Sequence, residues 1–137
     1  MKQQVGIWID HRKATVVFID GDSEKTDHIE SGVEKHVRFS AHSASQDGAA
    51  DDQRDRQYAV HLSRYYDDVI AHVRDAGFIL IFGPGEAKGE FEKRLVAKGL
   101  GKRVVGVETV DKMTDPQVVA KVRLHYREHG PIAKYPA

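Results

Sequence analysis

Residues 5–10 of the chain alternate. Val5, Ile7 and Ile9 point one way and Gly6, Trp8 and Asp10 the other, which is the two-residue period of a strand. The polar turn His11-Arg12-Lys13 leads to a second strand over 14–20, and Gly21-Asp22-Ser23 turns the chain into a weaker third strand over 25–30. Together they predict an antiparallel meander. Past residue 40 the alternation stops. The stretch SAHSASQDGAADDQRDR, 40–56, holds no large apolar residue and reads as a flexible loop. Tyr58, Leu62, Tyr65, Val69 and Val73 then recur at helical spacing, with Arg64, Asp68 and Arg74 off that stripe. Gly77 reads as the end of this helix.

The run FILIF, 78–82, is apolar throughout, as a central strand covered on both faces must be. A second helix over 87–98 would bury Ala87, Phe91 and Leu95. A fifth strand follows over 103–109, and Asp115-Pro116 reads as the cap and first turn of a third helix. That helix runs to about residue 128, so one domain spans 1–128 and 129–137 is a tail. The order is βββ-α-β-α-β-α. Right-handed crossovers place strand four parallel to strand one and strand five beyond it. The sheet order becomes 3-2-1-4-5, a three-layer α/β fold of ribonuclease-H-like layout. Its connections diverge between strands one and four, and the crevice lies at their C-terminal ends. Asp10, His11 and residues 83–86 are expected to line it. The segments 40–56 and 109–114 reach the same edge.

Composition narrows the class. A chain of 137 residues suggests one domain, and 40% apolar against 31% charged residues is enough to bury a core without a membrane span. Lys plus Arg and Asp plus Glu both number 21, so the chain does not coat nucleic acid by bulk charge, although a local basic patch remains open. With no cysteine there is no disulfide, thiolate nucleophile or Cys-ligated zinc. The start MKQQ has no signal-peptide pattern, and a cytoplasmic location is expected.

Four candidate chemistries follow from motifs. The turn GPGEAKG, 83–89, joins an apolar strand to a helix, where free amides attract anions. It matches neither G-x-x-x-x-G-K-[ST] nor G-x-G-x-x-G. Pro84 removes one amide and Glu86 adds a carboxylate that satisfies the helix dipole itself. A tight turn with an acidic cap is the reading favoured; a phosphate or RNA-backbone contact through Gly85, Ala87 and Lys88 is the alternative. A two-metal nuclease needs carboxylates at the ends of strands one and four. Asp10 supplies the first, but Gly83 stands at the second, leaving only Glu86 to approach. His125 and His129 sit four apart, yet HYREH lacks the glutamate of a metalloprotease helix, so they read as surface histidines. Basic residues gather after residue 87 but are interleaved with Glu90, Glu92 and Glu108, as on a solvated face. No metal or cofactor is expected, and no G-x-S-x-G elbow is present.

Three segments carry a family resemblance: VGIWIDHRKATVVFI, FILIFGPGEAKGEFEKRL and VVGVETVDKMTDPQVVAKV. With the intervening helix they resemble the middle domain of the eukaryotic and archaeal peptide-chain release factors and of Pelota. They resemble more closely the small bacterial single-domain proteins called translational machinery proteins, over roughly residues 4–128. In release factors the loop before the first helix holds Gly-Gly-Gln, which enters the peptidyl-transferase centre and promotes hydrolysis. Here Gln46 follows Ser45, with no Gly-Gly before it, and Asp47, Asp51, Asp52 and Asp55 come after it. Pelota's middle domain also lacks the tripeptide. The resemblance therefore implies a non-catalytic protein that binds the ribosome, ribosomal RNA or a translation factor. The expected binding edge comprises Asp10, His11, Arg12, Lys13, Gln46, Arg54, Arg56, Gly83, Gly85, Glu86, Lys88, Asp111 and Lys112. Two other readings stay open: a metal-dependent ribonuclease using Asp10 and Glu86, and a self-associating homo-oligomeric module without nucleic acid.

Overall fold

A computed structural model describes residues 3–32 and 48–129, with side chains described over 3–32 and 56–128. Five strands form one mixed sheet: β1 (Gln3–Ile9), β2 (Lys13–Asp20), β3 (Ser23–Glu30), β4 (Ala76–Gly83) and β5 (Val104–Thr109). Three helices join them: α1 (Gly48–Val73), α2 (Ala87–Ala97) and α3 (Asp115–His129). The sheet order is β3-β2-β1-β4-β5. The meander β1-β2-β3 is antiparallel, and β4 lies parallel to both β1 and β5. This is the order expected from the hydrophobic pattern and right-handed crossovers.

The two faces of the sheet bury different sets. Val5, Ile7 and Ile9 of β1 join Ile79 and Ile81 of β4 beneath α1 and α2, with Leu62, Tyr65, Val69, Phe91 and Leu95. Trp8, Leu80 and Phe82 fill the other face under Val118, Val122 and Tyr126 of α3. The continuous apolar run of β4 is thus required by burial on both sides. Gly6 has a packing reason: a Cβ there would lie 2.1 Å from Val122 Cγ2, so α3 seats directly on the β1 backbone. Tyr126 locks the same contact by donating its hydroxyl to the Val5 carbonyl at 2.7 Å. Burial keeps that phenol protonated well above its ordinary range. Arg123 ties α3 to the β2–β3 turn through Glu24 (2.5 Å) and the Asp22 carbonyl (2.9 Å).

Several element ends differ from the sequence expectation. The segment 40–56 was expected to be loop, but α1 begins at Gly48, so 48–56 is helical backbone; 40–47 lie outside the described residues. The apolar signal vanishes there, yet Ala49, Ala50, Gln53 and Arg54 are good helix formers. A packed helix extends at little cost because propagation needs no new nucleus. At the other end α1 stops at Val73, and Gly77 lies inside β4 instead of ending the helix. Arg103 belongs to a 3-10 turn (Gly101–Arg103) before β5, where its guanidinium holds the α1–β4 connection through the Arg74 carbonyl and the Ala76 carbonyl, the latter at 3.1 Å. The cap of α3 is Thr114 and not Asp115. The Thr114 amide donates to Gln117 Oε1 at 2.9 Å and the Gln117 amide to Thr114 Oγ1 at 3.4 Å, a reciprocal capping box. Asp115 is thereby left to meet His28 Nε2 of β3 at 2.7 Å.

Candidate functional site

At the C-terminal end of β1 the chain reverses within three residues. Asp10 Oδ1 accepts the amides of Arg12 and Lys13, both at 2.8 Å, and the Asp10 amide donates to the Lys13 carbonyl at 3.0 Å. This is an Asx-type turn: the carboxylate replaces backbone partners that a two-strand reversal leaves short. The Asp10 carbonyl in turn accepts the Tyr65 hydroxyl of α1 at 2.9 Å. Burial first, and the Asp10 charge second, hold the Tyr65 phenol protonated far above its usual value. Lys13 extends over the Trp8 ring, 5.9 Å from its centroid, while Trp8 Nε1 donates to the Asp111 carbonyl at 3.1 Å. One indole thus links the β1–β2 turn to the segment after β5.

Next to this turn, three elements converge on one carboxylate. Glu90 in the first turn of α2 accepts the Tyr66 hydroxyl of α1 at 2.7 Å. His11 Nε2 lies 3.1 Å from the same Oε1, the spacing at which a ring N–H donates to a carboxylate. Tyr58 stands edge-on to His11 at 6.3 Å between ring centroids. Burial, then the hydrogen bond to Glu90, raises the Tyr66 pKa beyond the physiological range, so Tyr66 keeps the proton that it donates to Glu90. Glu90 also borders an open groove of about 460 Å³ that Glu86, Lys88, Lys93 and Val107 share.

The turn 83–89 is held together by its own residues. Gly83 is buried against β1: a Cβ there would lie 2.2 Å from the Ile9 carbonyl oxygen. Gly85 adopts φ +63°, which favours glycine although the space around it is open. Glu86 was expected to cap α2 with its carboxylate; it sits at the N-cap, but its side chain makes no capping bond. Its carbonyl accepts the Gly89 and Glu90 amides instead, both at 3.1 Å. Lys88 folds back onto the Gly85 carbonyl. The Val110 amide donates to the Gly83 carbonyl at 3.1 Å, which brings residues 109–114 to the same edge.

α1 overhangs this edge. Tyr65 is level with Asp10, and the helix continues back to Gly48, more than four turns or roughly 25 Å further at the standard rise.

Solved structures share this fold. Over 94% of the chain it matches Pelota of Thermoplasma acidophilum at a TM-score of 0.57 and 16% identity. Pelota of Archaeoglobus fulgidus matches 91% of the chain at 0.56 and 13%, and the archaeal translation termination factor aRF1 matches 90% at 0.54 and 16%. The chain spans about a third of the length of each, with 33%, 32% and 36% covered. At such identities the likeness is one of fold. No family model matches the sequence, and no curated protein matches it.

Of the residues expected at the edge, Asp10, His11, Arg12, Lys13, Gly83, Gly85, Glu86 and Lys88 do gather at the β1 and β4 ends. Asp111 and Lys112 follow β5, exposed, with the Asp111 carbonyl held by Trp8. Arg56 is exposed on α1; Arg54 lies on the same helix, its side chain outside the described residues, as is Gln46 entirely. Sequence reasoning missed Glu90, Tyr66 and Tyr58. Their only signal was placement: Tyr58 on the apolar stripe of α1, Tyr66 beside Tyr65 of that stripe, and an acid one turn into the helix after the glycine turn. Among the described residues no three His, Asp or Glu side chains gather closely enough to hold a metal ion. His125 instead lies 3.9 Å from Glu108, which Lys121 also engages at 3.1 Å. No described helix is long and apolar enough to cross a membrane.

Proposed function

We propose that this protein is a non-catalytic, cytoplasmic binding module of the translation machinery, of the small bacterial single-domain kind. It meets the ribosome, ribosomal RNA or a translation factor with the C-terminal edge of its sheet and the overhanging start of α1. The observation that carries this reading is the fold match to two Pelota proteins and to aRF1, a translation termination factor, over 90–94% of the chain. The site supports it in a second way: the edge offers cations and donors beside a projecting helix, which suits contact with a large partner.

The same geometry supports binding over hydrolysis. A two-metal nuclease on this edge needs carboxylates at the ends of β1 and β4; Gly83 ends β4, and Asp10 Oδ1 holds the β1–β2 turn by accepting two backbone amides. Peptide release needs flexible glycines before the glutamine, and Ser45 precedes Gln46.

Cosedimentation with ribosomes through sucrose, at low and high salt, tests the proposal. The protein is expected in the ribosome fractions at low salt and progressively less as salt rises, as phosphate contacts require. Protein that stays at the top of the gradient under both conditions refutes the reading.

A further inference from the structure

The sheet has two outer strands, and the sequence treats them differently. β3 reads SEKTDHIE, with Ile29 as its one apolar residue. Charged side chains along an edge discourage a further strand from adding there. β5 reads VVGVET, with no proline and no charge before Glu108. Glu108 itself is drawn toward α3 by Lys121 at 3.1 Å.

β5 is hydrogen-bonded on one side, to β4. The Val110 amide points to β4, where it meets Gly83. Alternation then turns the backbone groups of Val107 and Thr109 outward, and no described strand lies beyond them. Two hollows border this edge along α2. One, of about 460 Å³, is lined by Glu86, Lys88, Glu90, Lys93 and Val107; the other, of about 580 Å³, by Val96, Gly99, Gly101 and Lys102, with Lys102 its one charged residue. Val96 is 53% exposed beside the second.

Charge singles out the same edge. Residues 88–103 carry six Lys and Arg against two Glu, whereas residues 20–30 carry five acids against one Lys. Residues 20–30 form the outer strand β3 and the turn before it, whereas residues 88–103 form α2 and the turn that leads into β5, the outer strand on the other side. Within the basic stretch Arg94 and Lys98 are held by Asp67, but Lys93 and Lys102 are exposed.

We propose that β5 is a docking strand for an extended acidic peptide segment of a partner protein, which adds to the sheet as a sixth strand. Outward backbone groups of Val107 and Thr109 bind its main chain. The hollows take alternate side chains, and Lys93 and Lys102 meet its carboxylates. Strand addition of this kind draws affinity from the main chain and selectivity from the flanking pockets. The inference stands apart from ribosome binding.

A fluorescein-labelled ten-residue peptide alternating threonine and glutamate is the probe, read by fluorescence anisotropy with the whole chain. The wild type is expected to bind it. The same peptide N-methylated at alternate amides, in each of the two phases, is expected to lose roughly tenfold in affinity in the phase that blocks the docked amides, since about one or two hydrogen bonds are lost. Val107→Pro removes an outward amide that β4 does not use, and is expected to weaken the unmethylated peptide by a similar factor. Thr109→Pro, at the exposed strand end, serves the same purpose if Val107→Pro does not fold. Lys93→Glu with Lys102→Glu is expected to weaken binding and flatten its salt dependence. No binding by the wild type overturns the proposal. So does equal affinity for both methylated forms, or equal competition by an oligouridylate of the same charge, either of which leaves a merely cationic surface. Concentration-dependent self-association that Val107→Pro abolishes would also overturn it, because the edge would then belong to a second copy.

Discussion

Gly83→Ala should be the most damaging single-methyl change at the candidate edge, and its size follows from one distance. The new Cβ would sit 2.2 Å from the Ile9 carbonyl oxygen, against an ordinary carbon–oxygen separation of roughly 3.3 Å. The obstacle is backbone, so no rotamer change relieves it; β1 and β4 must part by about 1 Å where they end. These are the two central strands of the sheet, and both faces around them are packed. A cost of roughly 3 kcal/mol is expected, at the upper end of the usual overpacking range. For a domain of this size that lowers the melting temperature by roughly 10 °C. Gly85→Ala is the internal control. Its φ of +63° disfavours a side chain, but nothing lies within 4 Å of the added carbon, so it should cost only about 1 kcal/mol. Trp8 is the sole tryptophan and 1% exposed, so urea unfolding followed by its fluorescence reads both variants directly. If Gly83→Ala loses no more stability than Gly85→Ala, the close approach of Gly83 to Ile9 does not constrain the edge, and the account of the turn fails.

Thr114→Ala removes half of the α3 capping box and should cost about 1 kcal/mol in the same urea assay, whereas Asp115→Ala, which leaves the box intact, should cost clearly less. Asp67 is held below its ordinary value of 3.8 chiefly by its hydrogen bond to Arg94, so the stability it adds is present above that pH and disappears as pH falls through the lowered value. Asp67→Asn should therefore be less stable than wild type at neutral pH, by no more than the roughly 0.2–1 kcal/mol of an exposed pair, and indistinguishable from it well below pH 3.8. Purified protein should neither cleave RNA with Mg²⁺ or Mn²⁺ nor stimulate peptidyl-tRNA hydrolysis on stalled ribosomes. Cleavage that Asp10→Asn abolishes, or release that Gln46→Ala abolishes, would replace the binding reading with an enzymatic one.

The sheet was legible because its signals are local and strong. Alternation in β1, the unbroken apolar run of β4 and the short connections leave few topologies once crossovers are right-handed. The burial of Ala87, Phe91 and Leu95 by α2 followed from spacing alone. What escaped the sequence had other causes. The start of α1 has no apolar stripe in its sequence to mark it. Thr114 was passed over for Asp115 because both are good cap residues, and only the reach of Gln117 back to the Thr114 amide decides between them. Glu90 was unreadable as a junction, since its partners His11 and Tyr66 stand 79 and 24 residues away and meet it only when three elements have packed.

The turn 83–89 now separates architecture from contact. Gly83 yields its side-chain space to Ile9, Gly85 supplies the positive φ, Ala87 is buried, and the Lys88 ammonium bends back onto the Gly85 carbonyl. Most of the motif is thus occupied in making the strand-to-helix reversal. Arg56 differs: it is exposed on the overhanging part of α1, where a large partner would arrive first. If the edge meets ribosomal RNA, Arg56→Glu should weaken cosedimentation and lower the slope of log affinity against log salt by more than one contact's worth, because a cation is replaced by an anion. Lys88→Ala should change that slope by less than about one and leave the fold intact, since its intramolecular bond already competes with phosphate. Urea midpoints measured on the same preparations keep stability apart from binding. A slope that drops by about one for Lys88→Ala while Arg56→Glu binds like wild type would place the phosphate contact on the glycine turn, and the lysine's fold-back would then be a resting position that RNA displaces.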